Sequence, residues 1–98
     1  MDSRPYSWTF LSNYAHVLVC LAADPDARIR DIAAKTGITE RAAIRIVAHL
    51  EEAGIVSREK SGRRNRYLIH TDKPLRHPLE SHRTVGALIE MVLHQGAG

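Results

Sequence analysis

The sequence lacks the features of secreted and membrane-spanning proteins. Its 98 residues include one cysteine, Cys20, so no disulfide can form within the chain. No cationic start followed by an apolar stretch and a small-residue cleavage site opens the sequence. The longest apolar stretch, residues 15–23, contains His16 and is far shorter than the ~20 residues that span a bilayer. We therefore expect a soluble, cytoplasmic protein with no membrane partner.

Patterns typical of enzymes are also missing. A chain of 98 residues forms one small domain with little room for a deep catalytic pocket. It contains no Ser-His-Asp set, glycine-rich phosphate loop or paired carboxylates in a plausible pocket. We therefore predict that the protein is not an enzyme and needs no cofactor.

Metal-ligand spacings are incomplete despite six histidines. Glu90 and His94 are four residues apart and can share a helix face, but no Cys-x-Cys, Asp-x-His or His-x-x-His pair accompanies them. Cys20 lies in an apolar stretch with no cation nearby in the sequence, so it is interpreted as core filler. We predict no metal ligands and no redox switch.

Acidic residues are scarce in the middle of the chain. Residues 28–70 hold ten Lys or Arg against five Asp or Glu, a net charge of +5, whereas the whole chain carries +3. The two flanks together are therefore mildly acidic. A basic segment of this kind is typical of a protein that binds a polyanion such as nucleic acid.

The first half of the chain predicts three helices. Ser12 or Asn13 caps the first, which ends before Pro25 because proline disfavours helical geometry in the preceding residue. Ahead of it, residues 1–12 hold three of the five aromatics and are expected to pack as an N-terminal flap. Residues 28–30 are interpreted as a brief strand, and residues 31–36 as a short second helix.

A tight turn then leads into the third helix. Gly37 ends the second helix, and Thr39 caps the third with Glu40 in its first turn. Helical spacing predicts a buried stripe of Ala43, Ile46, Val47 and Leu50. Turning 100° per residue, the same helix exposes Arg41, Ile44, Arg45 and Ala48.

The second half predicts a hairpin and one more helix. Gly54 ends the third helix, and residues 55–60 and 65–70 are interpreted as strands joined by a basic turn. Residues 72–78 contain two prolines and form a connector. A final helix capped by Thr84 carries an apolar stripe of Val85, Leu88, Ile89, Val92 and Leu93.

This order of elements resembles a winged helix-turn-helix transcriptional regulator of the MarR and ArsR kind. The resemblance is carried by residues 30–39, 50–56 and 62–67, and it covers residues 13 to about 70. It implies a mainly α-helical fold with a small β-hairpin, in which a three-helix core and wing (13–70) precede a connector (71–83) and a C-terminal helix (84–95). The opening at residues 8–11 and the connector are similar to small stand-alone regulators of high-GC bacteria.

The resemblance implies double-stranded DNA as the partner. The third helix, about residues 39–53, would enter the major groove, and the wing, about residues 55–70, would contact the minor groove or backbone. The positions that match the groove-facing residues and the wing are Thr39, Arg41, Ala42, Ile44, Arg45, Lys60, Arg63, Arg64, Asn65 and Arg66. Two departures are Arg30, where Ser or Thr usually caps the second helix, and Glu40, whose carboxylate repels phosphate unless it binds a cytosine amino group.

The final helix is expected to pair with the same helix of a second copy. Its predicted homodimer interface contains Val85, Leu88, Ile89 and Val92, and folding back on the first helix is the alternative. A protein-docking module without specific DNA binding and a metal-responsive ArsR-type repressor are the alternative functions. The sequence identifies no small-molecule effector.

Overall fold

A computed structural model describes residues 6–94 of the chain. Residues 1–5 of the predicted flap and residue 95 of the predicted last helix lie outside this range. The elements in chain order are α1 (Asn13–Ala23), α2 (Ile29–Thr36), α3 (Glu40–Glu52), β1 (Val56–Ser61), β2 (Arg64–Ile69) and α4 (Val85–Leu93). The two strands pair as one antiparallel hairpin, so the predicted fold class, mainly α with a small β-hairpin, is confirmed.

Three helices have side-chain caps at their N-termini, at the positions that the sequence predicts. Ser12 Oγ accepts a hydrogen bond from the Ala15 N–H at 3.5 Å. Thr39 Oγ1 accepts one from Ala42 at 3.0 Å, and Thr84 Oγ1 accepts one at 3.1 Å from the backbone N–H three residues on. Each cap satisfies a backbone donor that the first turn of a helix leaves without a partner.

The predicted strand at residues 28–30 is wrong. Arg28 is the N-cap of α2, its carbonyl accepts hydrogen bonds from Asp31 and Ile32 at 3.0 Å, and Arg30 therefore lies inside the first turn rather than at the cap. The physical reason is that the core-facing residues of this segment follow helical spacing rather than alternation. These residues are Ile29, Ile32, Ala33 and Thr36.

The core lies among α1, α2 and α3 and is closed by the base of the hairpin. The predicted buried stripe of α3 is confirmed at all four positions. It meets Val17, Leu18 and Leu21 of α1 and Ile32 of α2 in one apolar cluster. Gly37 between α2 and α3 has φ 79°, a left-handed conformation in which a Cβ is strained. This turn sets the direction of α3.

Each strand of the hairpin is displaced by one residue from its predicted bounds, towards the turn. β1 and β2 pair from Val56 opposite Ile69 to Ser61 opposite Arg64, leaving Gly62 and Arg63 as a two-residue turn. Gly62 has φ 65°, the positive value that the short turns of β-hairpins favour. The predicted turn was longer because residues 61 and 64 are polar and resemble loop residues.

The connector holds α4 against its own chain. The N–H of Val85 donates to the Lys73 carbonyl at 2.8 Å, and that of Gly86 donates to the Thr71 carbonyl at 3.0 Å. A Cβ on Gly86 would lie 3.0 Å from the Thr71 Cβ, so this close approach favours glycine. Val85 is 1% exposed and lies in the core cluster, with Leu88 and Ile89 packed beside it.

The described part of the predicted flap adds no aromatic ring to the core. Trp8 and Phe10 contact each other edge to face, with ring centroids 4.9 Å apart. They are 67% and 92% exposed. Their rings therefore contribute an apolar surface patch rather than core packing.

Candidate nucleic-acid interface

The solvent-facing side of α3 carries the residues that the sequence predicts to contact DNA. Arg41, Ile44, Arg45 and Ala48 are all exposed, and Ile44 is 56% exposed although it is a large aliphatic residue. Among the described residues, neither arginine is hydrogen-bonded or ion-paired. An exposed aliphatic side chain beside two unpaired guanidinium groups is a surface suited to a partner with both apolar and anionic groups.

The first turn of α3 combines a cap with an acidic residue. Thr39 is exposed, and its hydroxyl oxygen accepts the Ala42 N–H while its own hydrogen stays available for donation. Ala42 is half-buried, so only part of its methyl group is accessible. Glu40 is exposed beside them. The first turn of α3 therefore includes an exposed carboxylate next to Arg41.

Strand alternation places the polar residues of the wing on two faces. Lys60 and Asn65 are opposite each other in the register and share the face of Tyr67, which is buried against the core. Arg64 and Arg66 are on the other face of β2. Arg63 lies in the turn between the strands. The predicted wing residues thus lie on three differently oriented surfaces.

One side of the wing is tied to the end of α3. Arg58 Nη2 lies 2.7 Å from Glu51 Oε1, and Arg58 Nε donates to Glu51 Oε2 at 3.1 Å, which makes the pair bidentate. The hydrogen bonds that Arg58 donates to Glu51 raise the pKa of the Arg58 guanidinium above its ordinary value, because the carboxylate stabilises the charged form. Arg58 therefore joins β1 to α3.

The other side of the wing is tied to the loop between α1 and α2. Arg66 Nη1 lies 3.4 Å from Asp26 Oδ2, and Arg64 Nη2 donates to the Asp26 carbonyl oxygen at 3.1 Å. The Tyr67 backbone N–H donates to the Pro25 carbonyl at 3.0 Å. Two loop residues therefore hold β2 at three points.

A polar contact also joins α1 to the last turn of α3. The Tyr14 hydroxyl is hydrogen-bonded to His49 Nδ1 at 2.7 Å, and the two rings are stacked with centroids 5.9 Å apart. Because both residues are exposed, the contact lies at the rim of the core rather than within it. It supports the orientation of α3 from the side away from the turn at Gly37.

The predicted dimer residues separate into two groups. Val85, Leu88 and Ile89 pack against the core of their own chain, chiefly on α1. Val92 is 41% exposed and lies beside two further exposed apolar residues, Met91 and Leu93. The surface of α4 that is accessible to a partner is therefore shifted towards its C-terminal end.

The side chains considered for metal or redox chemistry are dispersed. Within residues 6–94, His, Cys, Asp and Glu form no group of three or more that could hold a metal ion. His94 Nδ1 lies 3.2 Å from Glu90 Oε1, as their spacing indicates. Cys20 Sγ lies 3.9 Å from Thr36 Oγ1 beside the core.

A search of the helices between residues 6 and 94 finds none with the length and apolar character needed to cross a membrane.

Sequence reasoning missed the residues that hold the interface in place. Asp26 and Arg66 are 40 residues apart, and Tyr14 and His49 are 35 apart, so no local spacing indicates these contacts. Glu51 was simply an acidic residue near the end of α3. Their only sequence signal is the basic content of the hairpin, which is compatible with carboxylate partners but neither requires nor identifies them.

Comparison with known families agrees with this geometry. The family model named MarR family matches residues 12–65, just over half of the chain, from the cap of α1 to the start of β2. The chain therefore belongs to the MarR family, whose members are winged-helix transcriptional regulators rather than enzymes. No curated protein is significantly similar to the chain.

Proposed function

We propose that the protein is a sequence-specific, double-stranded DNA-binding transcriptional regulator of the cytoplasm. Helix α3 enters the major groove, and the wing lies on the adjacent minor groove or backbone. The observation that carries the proposal is the exposed face of α3, where Arg41 and Arg45 are unpaired among the described residues and Ile44 lies exposed beside them. The hairpin is also basic, with Lys60, Arg63 and Arg64 at or beside its turn.

The chemistry of the α3 face fits base edges. A guanidinium group can donate two hydrogen bonds to the O6 and N7 atoms of guanine, and an aliphatic side chain can contact the thymine methyl group. Thr39 and Ala42 flank this surface at the start of the helix, where a hydroxyl and a small methyl group allow close approach. Glu40 repels phosphate and favours a cytosine amino group at its position.

The wing supplies charge rather than base recognition. Lys60, Arg63, Arg64, Asn65 and Arg66 belong to the hairpin or its turn, at the end of the hairpin furthest from the buried base. Cations that neutralise phosphates release counterions, so they strengthen binding to all sequences and make it sensitive to salt. The wing therefore raises affinity, while α3 sets sequence preference.

Pairing of two copies through α4 completes the proposal. Two recognition helices about one DNA turn apart bind a palindromic site, whereas one module alone binds weakly. The exposed residues Met91, Val92 and Leu93 supply an apolar surface for this contact, with the predicted residues Val85, Leu88 and Ile89 supporting it from beneath. A metal-responsive role is disfavoured because Glu90 and His94 supply two ligands, fewer than a closed metal site requires.

Selection of the full chain on a pool of random duplexes tests the proposal. We expect enrichment of a palindromic sequence, and mobility shift with that duplex should weaken steeply between two salt concentrations. The double variant Arg41→Ala with Arg45→Ala should lose the enriched sequence. Little duplex affinity at any salt concentration would instead identify a protein-docking module and contradict the proposal.

A further inference from the structure

The basic residues of the wing are unequal in their contacts. Arg58, Arg64 and Arg66 each have a partner elsewhere in the chain. Lys60 and Arg63 are exposed, and within the described residues neither side chain is hydrogen-bonded or ion-paired. Arg63 lies in the turn between the strands, whereas Lys60 lies near the end of β1 opposite Asn65.

We propose that Asp26 and Glu51 are positioning residues that hold the wing from two sides, so that Lys60 and Arg63 are the wing cations that contact DNA phosphate. The proposal rests on the DNA-binding function above. It reduces the wing residues expected to contact DNA from five to two. Arg64 and Arg66 are then anchors of the wing, and Arg58 joins them in that role although its position did not match the family's wing contacts.

The anchor at Asp26 acts on β2 through both side chain and backbone. Its carboxylate pairs with Arg66 at 3.4 Å and its carbonyl accepts from Arg64 at 3.1 Å. An exposed ion pair alone is weak. Here it acts together with the backbone hydrogen bond from Tyr67 to Pro25, the residue before Asp26. The three contacts restrain the same short segment of β2.

The anchor at Glu51 acts on β1 from the opposite side. Its carboxylate accepts two hydrogen bonds from the Arg58 guanidinium, a geometry that fixes orientation as well as distance. Because Glu51 lies in α3 itself, this contact sets the wing relative to the helix that reads the bases. A wing held on both sides is already in place before DNA arrives and loses less conformational entropy on binding.

Charge balance explains why the anchored arginines should contribute little to phosphate binding. An arginine that moves from a carboxylate to a phosphate exchanges one anion for another and leaves a carboxylate unpaired near the DNA. Lys60 and Arg63 carry no such cost, because among the described residues their side chains have no partner to give up. Each should therefore account for about one phosphate in the salt dependence of binding.

The test compares two single-charge changes in the same hairpin. The logarithm of the association constant is measured against the logarithm of salt concentration, with a duplex of selected sequence, for the wild-type chain, Arg63→Gln and Arg66→Gln. We expect Arg63→Gln to reduce the slope by about 0.9 and Arg66→Gln to leave it within error of wild type. An equal reduction in both variants would overturn the division between contacting and positioning residues.

A measurement without DNA tests the anchor separately. In the wild-type chain and in Asp26→Asn, hydrogen exchange is measured at the Tyr67 amide, which is bonded to Pro25. We expect the substitution to speed exchange about two- to fivefold, as for the loss of an exposed ion pair. Asp31→Asn, which removes the same charge from the exposed side of α2, should leave it unchanged.

The two measurements test the DNA-binding function and the anchor at Asp26 independently. A wild-type chain without duplex affinity would overturn the DNA-binding function and the roles of Lys60 and Arg63, while the exchange rate would still decide the anchor. Unchanged exchange at Tyr67 in Asp26→Asn would overturn the anchor even if the duplex binds tightly.

Discussion

Helices α3 and α4 begin in the same way but expose opposite kinds of surface. Each follows a threonine whose hydroxyl accepts a hydrogen bond from the backbone N–H three residues on. Four residues of α3 are buried, whereas in α4 only Val85 is. The exposed side of α3 carries Arg41 and Arg45, and that of α4 carries Met91 and Val92.

This difference indicates what each helix is for. A helix with a complete buried stripe needs no further partner for its stability, so unpaired cations on its outer face are available for binding. A helix with large apolar residues still in water is stabilised further when another apolar surface covers them. We therefore interpret α3 as the surface for DNA and the end of α4 as the surface for a second copy.

Truncation of one apolar residue in each helix should give the largest difference between them. Ile46→Ala should lower the free energy of unfolding by about 2–5 kcal/mol, since it leaves a cavity at a side chain that is 4% exposed. Met91→Ala, at a residue that is 67% exposed, should change it by no more than about 0.5 kcal/mol. Urea denaturation at low protein concentration measures both. Similar losses would mean that α4 is as firmly part of the core as α3.

Charge placed on the outer face of α4 should separate the two copies. Met91→Glu with Val92→Glu is expected to raise the dissociation constant of the dimer about 100-fold, or about 2.7 kcal/mol, because carboxylates would be buried at the contact. Light scattering over a concentration series measures this, and Arg41→Ala serves as the control that stays dimeric. Leu88 is avoided because it packs against its own core. A wild-type chain that is monomeric at micromolar concentration would refute the pairing.

The turn before α3 should be intolerant of a branched side chain. Gly37 has φ 79°, so Gly37→Val is expected to destabilise the fold by about 1–3 kcal/mol and to misdirect α3. Gly37→Ala, without the β-branch, should destabilise it less. Thermal unfolding of both variants checks the order, and an unchanged melting temperature for the valine variant would show that the turn bears no such strain.

Removal of one arginine from the α3 face should affect sequence preference. Arg45→Ala is expected to weaken binding to the selected duplex by about 1–3 kcal/mol and to relax preference at one base pair. Arg76→Ala removes another exposed arginine, from the connector, and should change neither. Competition with random duplexes separates the two effects. Equal loss of affinity on selected and random DNA would mean that Arg45 contacts only phosphate.

Removal of either threonine cap should give the smallest of the expected effects, and the effect should be of a different kind in α3 and in α4. Thr39→Ala and Thr84→Ala each remove one capping hydrogen bond, worth about 1 kcal/mol. In α3 the loss should appear in global stability, because the buried stripe holds the helix together. In α4 it should appear as faster hydrogen exchange in the first turn. Identical behaviour of the two variants would contradict the contrast between the helices.

Much of the fold could be predicted because its signals are local. The caps at Ser12, Thr39 and Thr84 and the buried stripe of α3 each depend on residues within a few positions of one another. The start of α2 was mistaken because three residues are too few to show a period, whereas Ile29, Ile32 and Thr36 together follow a helix.

The candidate site was predictable only in part. The exposure of Arg41 and Arg45 follows from the same helical period that buries Ile46. The partners of the wing arginines do not follow from any period, since Asp26 precedes Arg66 by 40 residues. Basic residues that look equivalent in the sequence are therefore distinguished by contacts that exist only after folding.

The sequence by itself determined that four helices form, where the hydroxyl caps of α1, α3 and α4 lie and which face of α3 is exposed. The reason is that these signals are local and backbone hydrogen bonding imposes a fixed rotation per residue. The tertiary structure decided that Arg64 and Arg66 are paired with Asp26 while Arg63 is not. It also decided which apolar residues of α4 face α1. These outcomes depend on distances between segments far apart along the chain, and core packing together with backbone hydrogen bonds between segments sets those distances.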